Sequence, residues 1–372
     1  MCNGRDNARL RIAVLGTRGI PEVMGGVETH CQALYPRLVA KGHSITLFAR
    51  KGYVQDTPYT YQGTRVIPLF TIQNKSFEAI CHTLLGIIHI TRHRGEFDLV
   101  HIHAIGPSLM IPIARLFGLK VVMTHHGPDY DRQKWGRAAK IVLKFGEVLG
   151  CRFANKIITV SKHIKTLVHK HNPENISYIP NGVVLPPIIP PGEHLLKWNI
   201  TPKRYILAVG RLVPEKGFHD LIVAFSRLET DWQLVIAGDA DHEDAYSNCL
   251  KNQAAQTPGV VMVGFVKGTQ LAELFSNAGL FVLPSYHEGL PIVLLEALSY
   301  DLPVLTSAIP ANRELAHDSE TFPVGNVDIL KNNLWKEITD GHAISNGRER
   351  VANKFNWDEI ALQTEDVYRS II

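Results

Sequence analysis

The chain has 372 residues, 45% hydrophobic and 20% charged, which is too long for one ordinary domain and suits two of about 150 to 200 residues. No apolar run approaches the roughly 18 residues that span a bilayer, and the N-terminus carries no signal-like apolar stretch, so the expected location is cytoplasmic. Five scattered cysteines form no CxxC pair, which argues against a disulfide scaffold or a cysteine zinc site. Charge is unevenly spread: residues 1–185 hold 24 Lys+Arg against 11 Asp+Glu, a net of +13, and the remainder 15 against 24, a net of −9. Such a basic half suits a negatively charged partner, whether anionic lipid headgroups, a phosphate-bearing acceptor or nucleic acid, unless it is only a solvated surface.

In chain order, 10–15 reads as a strand, 25–39 as a helix and 44–48 as the next strand. Further strands are expected at 65–69, 99–103, 120–124 and 156–160, with helices between. Strand and helix alternate, the pattern of a parallel doubly wound sheet that binds its ligands beyond the carboxyl ends of the strands. The loop 16–28 departs from the dinucleotide fingerprint, because Arg18 occupies a glycine position, but the pair Gly25-Gly26 leads into a helix and offers backbone donors. The apolar segment 77–91 fits a buried helix or one lying on a membrane surface. After the strand at 120–124 comes His125-His126-Gly127-Pro128-Asp129, and a neutral histidine there can donate or accept a hydrogen bond or stabilise charge. Ser161 reads as a helix N-cap, Asn181-Gly182 as a turn, and the proline-rich stretch 186–191 as an interdomain linker.

The alternation restarts in the second half with a strand at 205–210. Gly210-Arg-Leu-Val-Pro-Glu-Lys-Gly217 follows, and a helix over 219–228. Arg211 offers a planar fork and Lys216 a point charge to phosphate oxygens, the alternative being a surface ion pair with Glu215. Strands are expected at 233–238 and 260–266. Asp239-Ala240-Asp241 spells a DxD sequence, but a loop whose domain already has cations for a phosphate gives little reason to place a metal. After an apolar strand at 280–284, Glu288 and Glu296 stand eight residues apart across a turn that opens a helix near Leu290. The helix start makes an anion site at Glu288-Gly289-Leu290, and both carboxylates can accept hydrogen bonds from hydroxyls.

The Glu-x7-Glu spacing and the Gly-Arg-Leu-x-Pro-Glu-Lys-Gly loop resemble the signatures of the retaining, metal-independent glycosyltransferases of family 4. That resemblance covers nearly the whole chain. It implies an α/β fold of the GT-B type, with two Rossmann-like doubly wound parallel-sheet domains facing across an interdomain cleft. The implied boundaries are 1–183 for an acceptor-binding domain, 184–354 for a nucleotide-sugar domain, and 355–372 for a terminal helix crossing back onto the first. It further implies that Glu288 contacts the donor sugar, Glu296 the ribose, and Arg211 and Lys216 the diphosphate. Gly264, Phe265 and Val266 would hold the nucleobase, with Gly25, Gly26, Gly289 and Leu290 also on the donor side. His126 would lie beside the reacting bond, with Asp129 near it. No cofactor and no metal are expected.

The loop residues 17–21 and 25–28 and Thr124-His-His-Gly127 resemble bacterial members that build surface polysaccharides such as O-antigen or capsule on polyprenyl-diphosphate lipids. The implied reaction moves a hexose or N-acetylhexosamine from a UDP- or GDP-sugar, UDP favoured, to such an acceptor. The basic first domain would meet the inner face of the membrane peripherally, and no nucleic acid is expected as partner. Two rivals are a sugar-nucleotide epimerase of the same fold, which needs no acceptor, and a non-catalytic anion- or nucleic-acid-binding protein, which needs no donor site.

Overall fold

Short aliphatic runs bounded by turn residues form the strands of this protein, described here in a computed structural model for residues 8–72, 78–132, 135–240, 243–340 and 346–372. The polar start of the chain, Phe77 at the head of the expected second helix, and Asp241 and His242 of the DxD loop lie outside the described residues. The chain forms two compact units, residues 1–181 with 357–372, and residues 182–356.

Unit 1 is built on strands β1 (Arg11–Leu15), β2 (Ser44–Arg50), β3 (Tyr59–Tyr61), β4 (Thr64–Leu69), β5 (Leu99–His103), β6 (Val121–His125), β7 (Lys156–Thr159) and β8 (Ile176–Tyr178). They form one sheet in the order β3-β4-β2-β1-β5-β6-β7-β8. All pairs are parallel except β3 with β4. Strand β3 was not expected from the sequence. It pairs through the two-residue turn Gln62-Gly63, both at positive φ, a primed hairpin turn that Gln-Gly signals more weakly than Asn-Gly. Helices α1 (Gly26–Ala40), α2 (Glu78–Arg92), α3 (Ile105–Ser108), α4 (Ile111–Leu116), α5 (Arg137–Phe153) and α6 (Lys162–Val168) complete the contiguous part. The α2 helix packs into the layer against the sheet, burying His82, Thr83, Gly86, Ile87 and Ile90. Ser161 caps α6 by accepting from the Ile164 N–H at 3.2 Å.

Unit 2 is built on β9 (Tyr205–Val209), β10 (Gln233–Ala237), β11 (Val260–Gly264), β12 (Leu280–Leu283), β13 (Val304–Ser307) and β14 (Thr321–Phe322), all parallel in the order β11-β10-β9-β12-β13-β14. Its helices are α7 (Glu193–Lys197), α8 (Phe218–Ser226), α9 (Ala245–Gln256), α10 (Gly268–Asn277), α11 (Ile292–Ser299), α12 (Pro310–Arg313), α13 (Val327–Thr339) and α14 (Gly347–Ala352). Numbered from β9 the order is 3-2-1-4-5-6, which places the topological switch between β9 and β12. In unit 1 the order reverses in the same way between β1 and β5.

Two expectations are corrected here. The proline-rich stretch 186–191, read as an interdomain linker, lies within unit 2 and is fastened to it. Arg348 donates to the Pro186 carbonyl at 2.9 Å, Ile189 N–H donates to Ser276 Oγ, and Gly192 N–H donates to Glu273 Oε1. The helix expected near Leu290 begins at Ile292 with Pro291 as its extended cap, so Gly289 and Leu290 belong to the turn before it.

The last helix, α15 (Trp357–Arg369), belongs to unit 1. Trp357, Ile360, Ala361 and Tyr368 enter the core formed by β1, β2 and α1, and Arg37 of α1 and Lys41 just after it pair with Asp358 and Glu365.

Candidate functional site

In unit 2 the loops after β9 and β12 meet at the switch point. Gly217 turns the first loop at φ +67, and a Cβ there would stand 2.2 Å from the Pro284 carbonyl oxygen, so only glycine lets the loop close on the end of β12. The Tyr286 N–H donates to the Glu215 carbonyl at 2.8 Å. Tyr286 also stacks on His219 and donates its hydroxyl to Asp220 Oδ2 at 2.6 Å, which ties the turn 285–288 to α8. This stitching brings Lys216 Nζ to 2.6 Å from Glu288 Oε1, which also accepts from Ser285 Oγ at 2.7 Å. Burial pushes the Glu288 carboxyl up, but the Lys216 charge and the two hydrogen bonds outweigh it and hold Glu288 ionised. The expected alternative partner of Lys216, Glu215, is buried beneath the loop. Arg211 sits in the same loop, where its carbonyl accepts from Val213 N–H.

Glu296 lies in the second turn of α11, and burial raises its carboxyl to about 7. At neutral pH it stands near the midpoint between an acid that donates and a carboxylate that only accepts. Gly264 ends β11 at φ +73, beyond a register shift in its pairing with β10, followed by half-exposed Phe265 and buried Val266. A cavity of about 400 Å³ lies beside this segment, lined by Gly238, Asp239, Lys251, Ala254, Met262 and Gly264 among others. Asp239, first residue of the DxD sequence, is paired with Lys251 at 3.0 Å.

In unit 1 the loops after β1, β5 and β6 converge. Gly16, at φ +95, backs onto β5 so closely that a Cβ would stand 2.2 Å from the His103 carbonyl oxygen. Glu28, in the first turn of α1, folds under the loop and accepts from Arg18 N–H at 3.0 Å and Thr17 Oγ1 at 3.3 Å. Gly25, the cap of α1, leaves room for that carboxylate, and Gly26 opens the helix.

His126 follows β6, and its Nε2 lies 2.9 Å from Nδ1 of His103. Burial holds its imidazole well below the ordinary histidine range, so it is neutral at pH 7. The preceding residue fixes the loop: His125 Nε2 meets Glu147 Oε2 at 3.0 Å, and His125 Nδ1 accepts from Gly127 N–H at 3.2 Å. Tyr130 donates to the same carboxylate. Asp129 is engaged by Arg132 at 2.7 Å. His125, Glu147 and Tyr286 were not singled out from the sequence because each acts through a neighbour from another element, and Ser285 because its bond to Glu288 lies within the turn and follows no pattern of its own. Nor were His30 and His103, although His103 at the end of a parallel strand carried a usable signal.

The α5 helix is turned inside out. Its inner face carries Gly146, Glu147, Gly150 and Cys151, and a Cβ on Gly146 would stand 2.2 Å from the Ile105 carbonyl oxygen. Its outer face exposes Ile141, Val142, Phe145 (60%) and Val148, interspersed with Arg137, Lys144 and Arg152. The α4 helix, packed against α5, leads into exposed Leu116 (86%) and Phe117.

Two family models match the chain, "Glycosyltransferase Family 4" over residues 24–185 and "Glycosyl transferases group 1" over residues 195–352. An uncharacterised glycosyltransferase of Methanocaldococcus jannaschii is 27% identical, covering 97% of this chain and 98% of its own. The UDP-Gal:alpha-D-GlcNAc-diphosphoundecaprenol alpha-1,3-galactosyltransferase of Escherichia coli is 27% identical over 75% of this chain and 77% of its own. Among solved structures, sucrose-phosphate synthase of Thermosynechococcus elongatus superposes with a TM-score of 0.83 at 23% identity, covering 97% and 99% of the two chains. Anabaena HepE, solved with UDP and glucose, gives 0.79 at 18% identity, covering 97% and 100%.

Proposed function

Because the chain belongs to the family 4 glycosyltransferases and has their two parallel-sheet α/β units, we propose that it moves a hexose or N-acetylhexosamine from a UDP-sugar to a polyprenyl-diphosphate-linked glycan with retention of configuration. The observation that carries this reading is the Lys216–Glu288 pair at the switch point of unit 2, where a phosphate-seeking cation and a hydroxyl-seeking carboxylate lie 2.6 Å apart. In the transfer the bond from the anomeric carbon to the diphosphate oxygen breaks, and the acceptor hydroxyl bonds to the same face of that carbon. Its proton passes to the departing phosphate. Arg211 and Lys216 take up the charge that develops on the leaving group, with no metal required. Glu288 accepts from sugar hydroxyls and Glu296 from the ribose diol. Gly264, Phe265 and Val266 receive the base. His126, neutral and fixed through His103 and the His125 loop, orients the sugar.

The printed name of the E. coli relative, with its UDP-sugar donor and diphosphoundecaprenol acceptor, supports this choice of substrates. The apolar outer face of α5 with its Lys and Arg neighbours supports peripheral contact with an anionic membrane, as a lipid-borne acceptor requires.

Thermal denaturation with UDP, GDP, ADP and their sugar conjugates tests the donor. A selective rise in Tm with the uridine series, unchanged by EDTA, is the expected result. A rise with another base would replace the donor, and no rise with any nucleotide would remove the proposed site.

A further inference from the structure

Behind His126 the interior of unit 1 holds an uncommon grouping of imidazoles. His30 of α1, His103 at the end of β5 and His126 after β6 each present a ring nitrogen, and these three atoms lie within 4.8 Å of one another. From this geometry we infer that His30 Nε2, His103 Nδ1 and His126 Nε2 form a binding site for a divalent transition-metal ion of the zinc class.

Three features of the site support it. First, His30 is 2% exposed, its Nδ1 faces the Asn181 side-chain oxygen at 2.9 Å, and its Nε2 has no hydrogen-bond partner among the described residues. An amide oxygen only accepts, so Nδ1 carries the proton and the buried, unpartnered Nε2 carries a lone pair aimed at its neighbours. A metal-ligating histidine is usually held this way, its other N–H donated to a carbonyl oxygen. Second, a tetrahedral ion's ~2.0–2.1 Å bonds set ligand nitrogens about 3.4 Å apart, so from a grouping within 4.8 Å the rings need only side-chain adjustment, His30 drawing in toward the other two. The His103–His126 pair at 2.9 Å need only open slightly. Third, the proton now shared by that pair has somewhere to go. The Tyr35 hydroxyl lies within reach of both His103 Nε2 and His101 Nδ1, the latter at 3.0 Å. It can stop donating to His103 and accept from it instead, so that His103 moves its proton to Nε2 and frees Nδ1 as a ligand. Its ring stays neutral, and no proton need leave the protein.

Imidazoles without thiolates or carboxylates favour zinc, copper, nickel or cobalt over magnesium or calcium. The site takes no part in the metal-free transfer proposed above. Its occupancy would draw His126 away from the sugar, so the ion acts as a reversible inhibitor. This last consequence rests on the role proposed for His126, whereas the binding does not.

Cobalt(II) titration of the full-length protein, followed by visible d–d absorption, tests the binding. One saturable ion per chain with the intense bands of low-coordinate cobalt is expected. His30→Gln and His126→Gln should each weaken it at least about 100-fold, more than the 10- to 100-fold that loss of an outer-shell partner costs. His93→Gln should leave it unchanged, since His93 stacks with His89 on α2 as a rival two-histidine site. Circular dichroism of each variant separates lost binding from lost folding, and His126→Gln stands in if His30→Gln does not fold. Absence of saturable binding, binding that survives both substitutions, or binding lost in His93→Gln would overturn the site. Zinc binding at the site without inhibition of sugar transfer would instead overturn the role of His126 and leave the site standing.

Discussion

At the scale of single residues, the site consists of charges assigned to different parts of one substrate and yet bonded to each other. Lys216 and Glu288 share a hydrogen bond and a near-buried setting, so removing either leaves the other uncompensated. Lys216→Ala and Glu288→Ala should each lower turnover by about 100-fold, as loss of one preorganised charge-stabilising group does. The double variant should lose much less than the product of the two, measured as kcat/KM on the same donor and acceptor. Fully multiplicative losses would mean that the pair does not act as a unit. Glu296 gives a pH signature. Its carboxyl is raised in the folded state, so the fold binds its proton more tightly than the unfolded chain does. That contribution to stability is present below the ordinary carboxyl range and is lost as pH rises through about 7. If Glu296 takes the ribose diol as proposed, it needs the carboxylate, so UDP affinity should climb between about pH 6 and 8, and calorimetry on Glu296→Gln should show the climb flattened. These carboxylates and Arg211 were legible in the sequence because they follow predicted strands at fixed spacing. Of the residues that hold them, Tyr286 and Asp220 were not, since pairing across 66 positions leaves no local pattern.

At the scale of elements, the long aliphatic strands and the helices between them were legible, because hydrophobic period and Gly/Pro punctuation agree there. Three-residue strands such as β3 and β8 carry too few residues for a period to show. The α5 helix escaped notice for a different reason. Its amphipathic pattern is regular, but periodicity says nothing about which side faces the core, and here the glycines face inward. Phe145→Asp combined with Ile141→Asp should abolish sedimentation with vesicles containing anionic lipid while leaving Tm within about a degree, as expected for exposed positions. A matching drop in Tm would mean that this face is part of the fold instead.

At the scale of the whole molecule, charge and chain path matter most. The +13 half should make vesicle binding fall steeply as salt rises from low to physiological strength, while the apolar face leaves a salt-resistant remainder. Chain path shows in α15: Trp357→Ala should cost about 3–5 kcal/mol, read as a shift of the unit 1 transition in denaturant, because a large buried ring leaves a cavity beside His30. The same path sets an order on biosynthesis. Residues 182–356 are contiguous and can close their core as soon as they emerge, but the core of unit 1 waits for a helix translated after all of unit 2. Tyr368 from that helix meets His101 at 2.6 Å, in the hydrogen-bonded chain that runs through Tyr35 and His103 to His126. A nascent chain can therefore hold a finished unit 2 while unit 1 is still incomplete, and His126 gains its full set of supports only when α15 has docked on the segment made first.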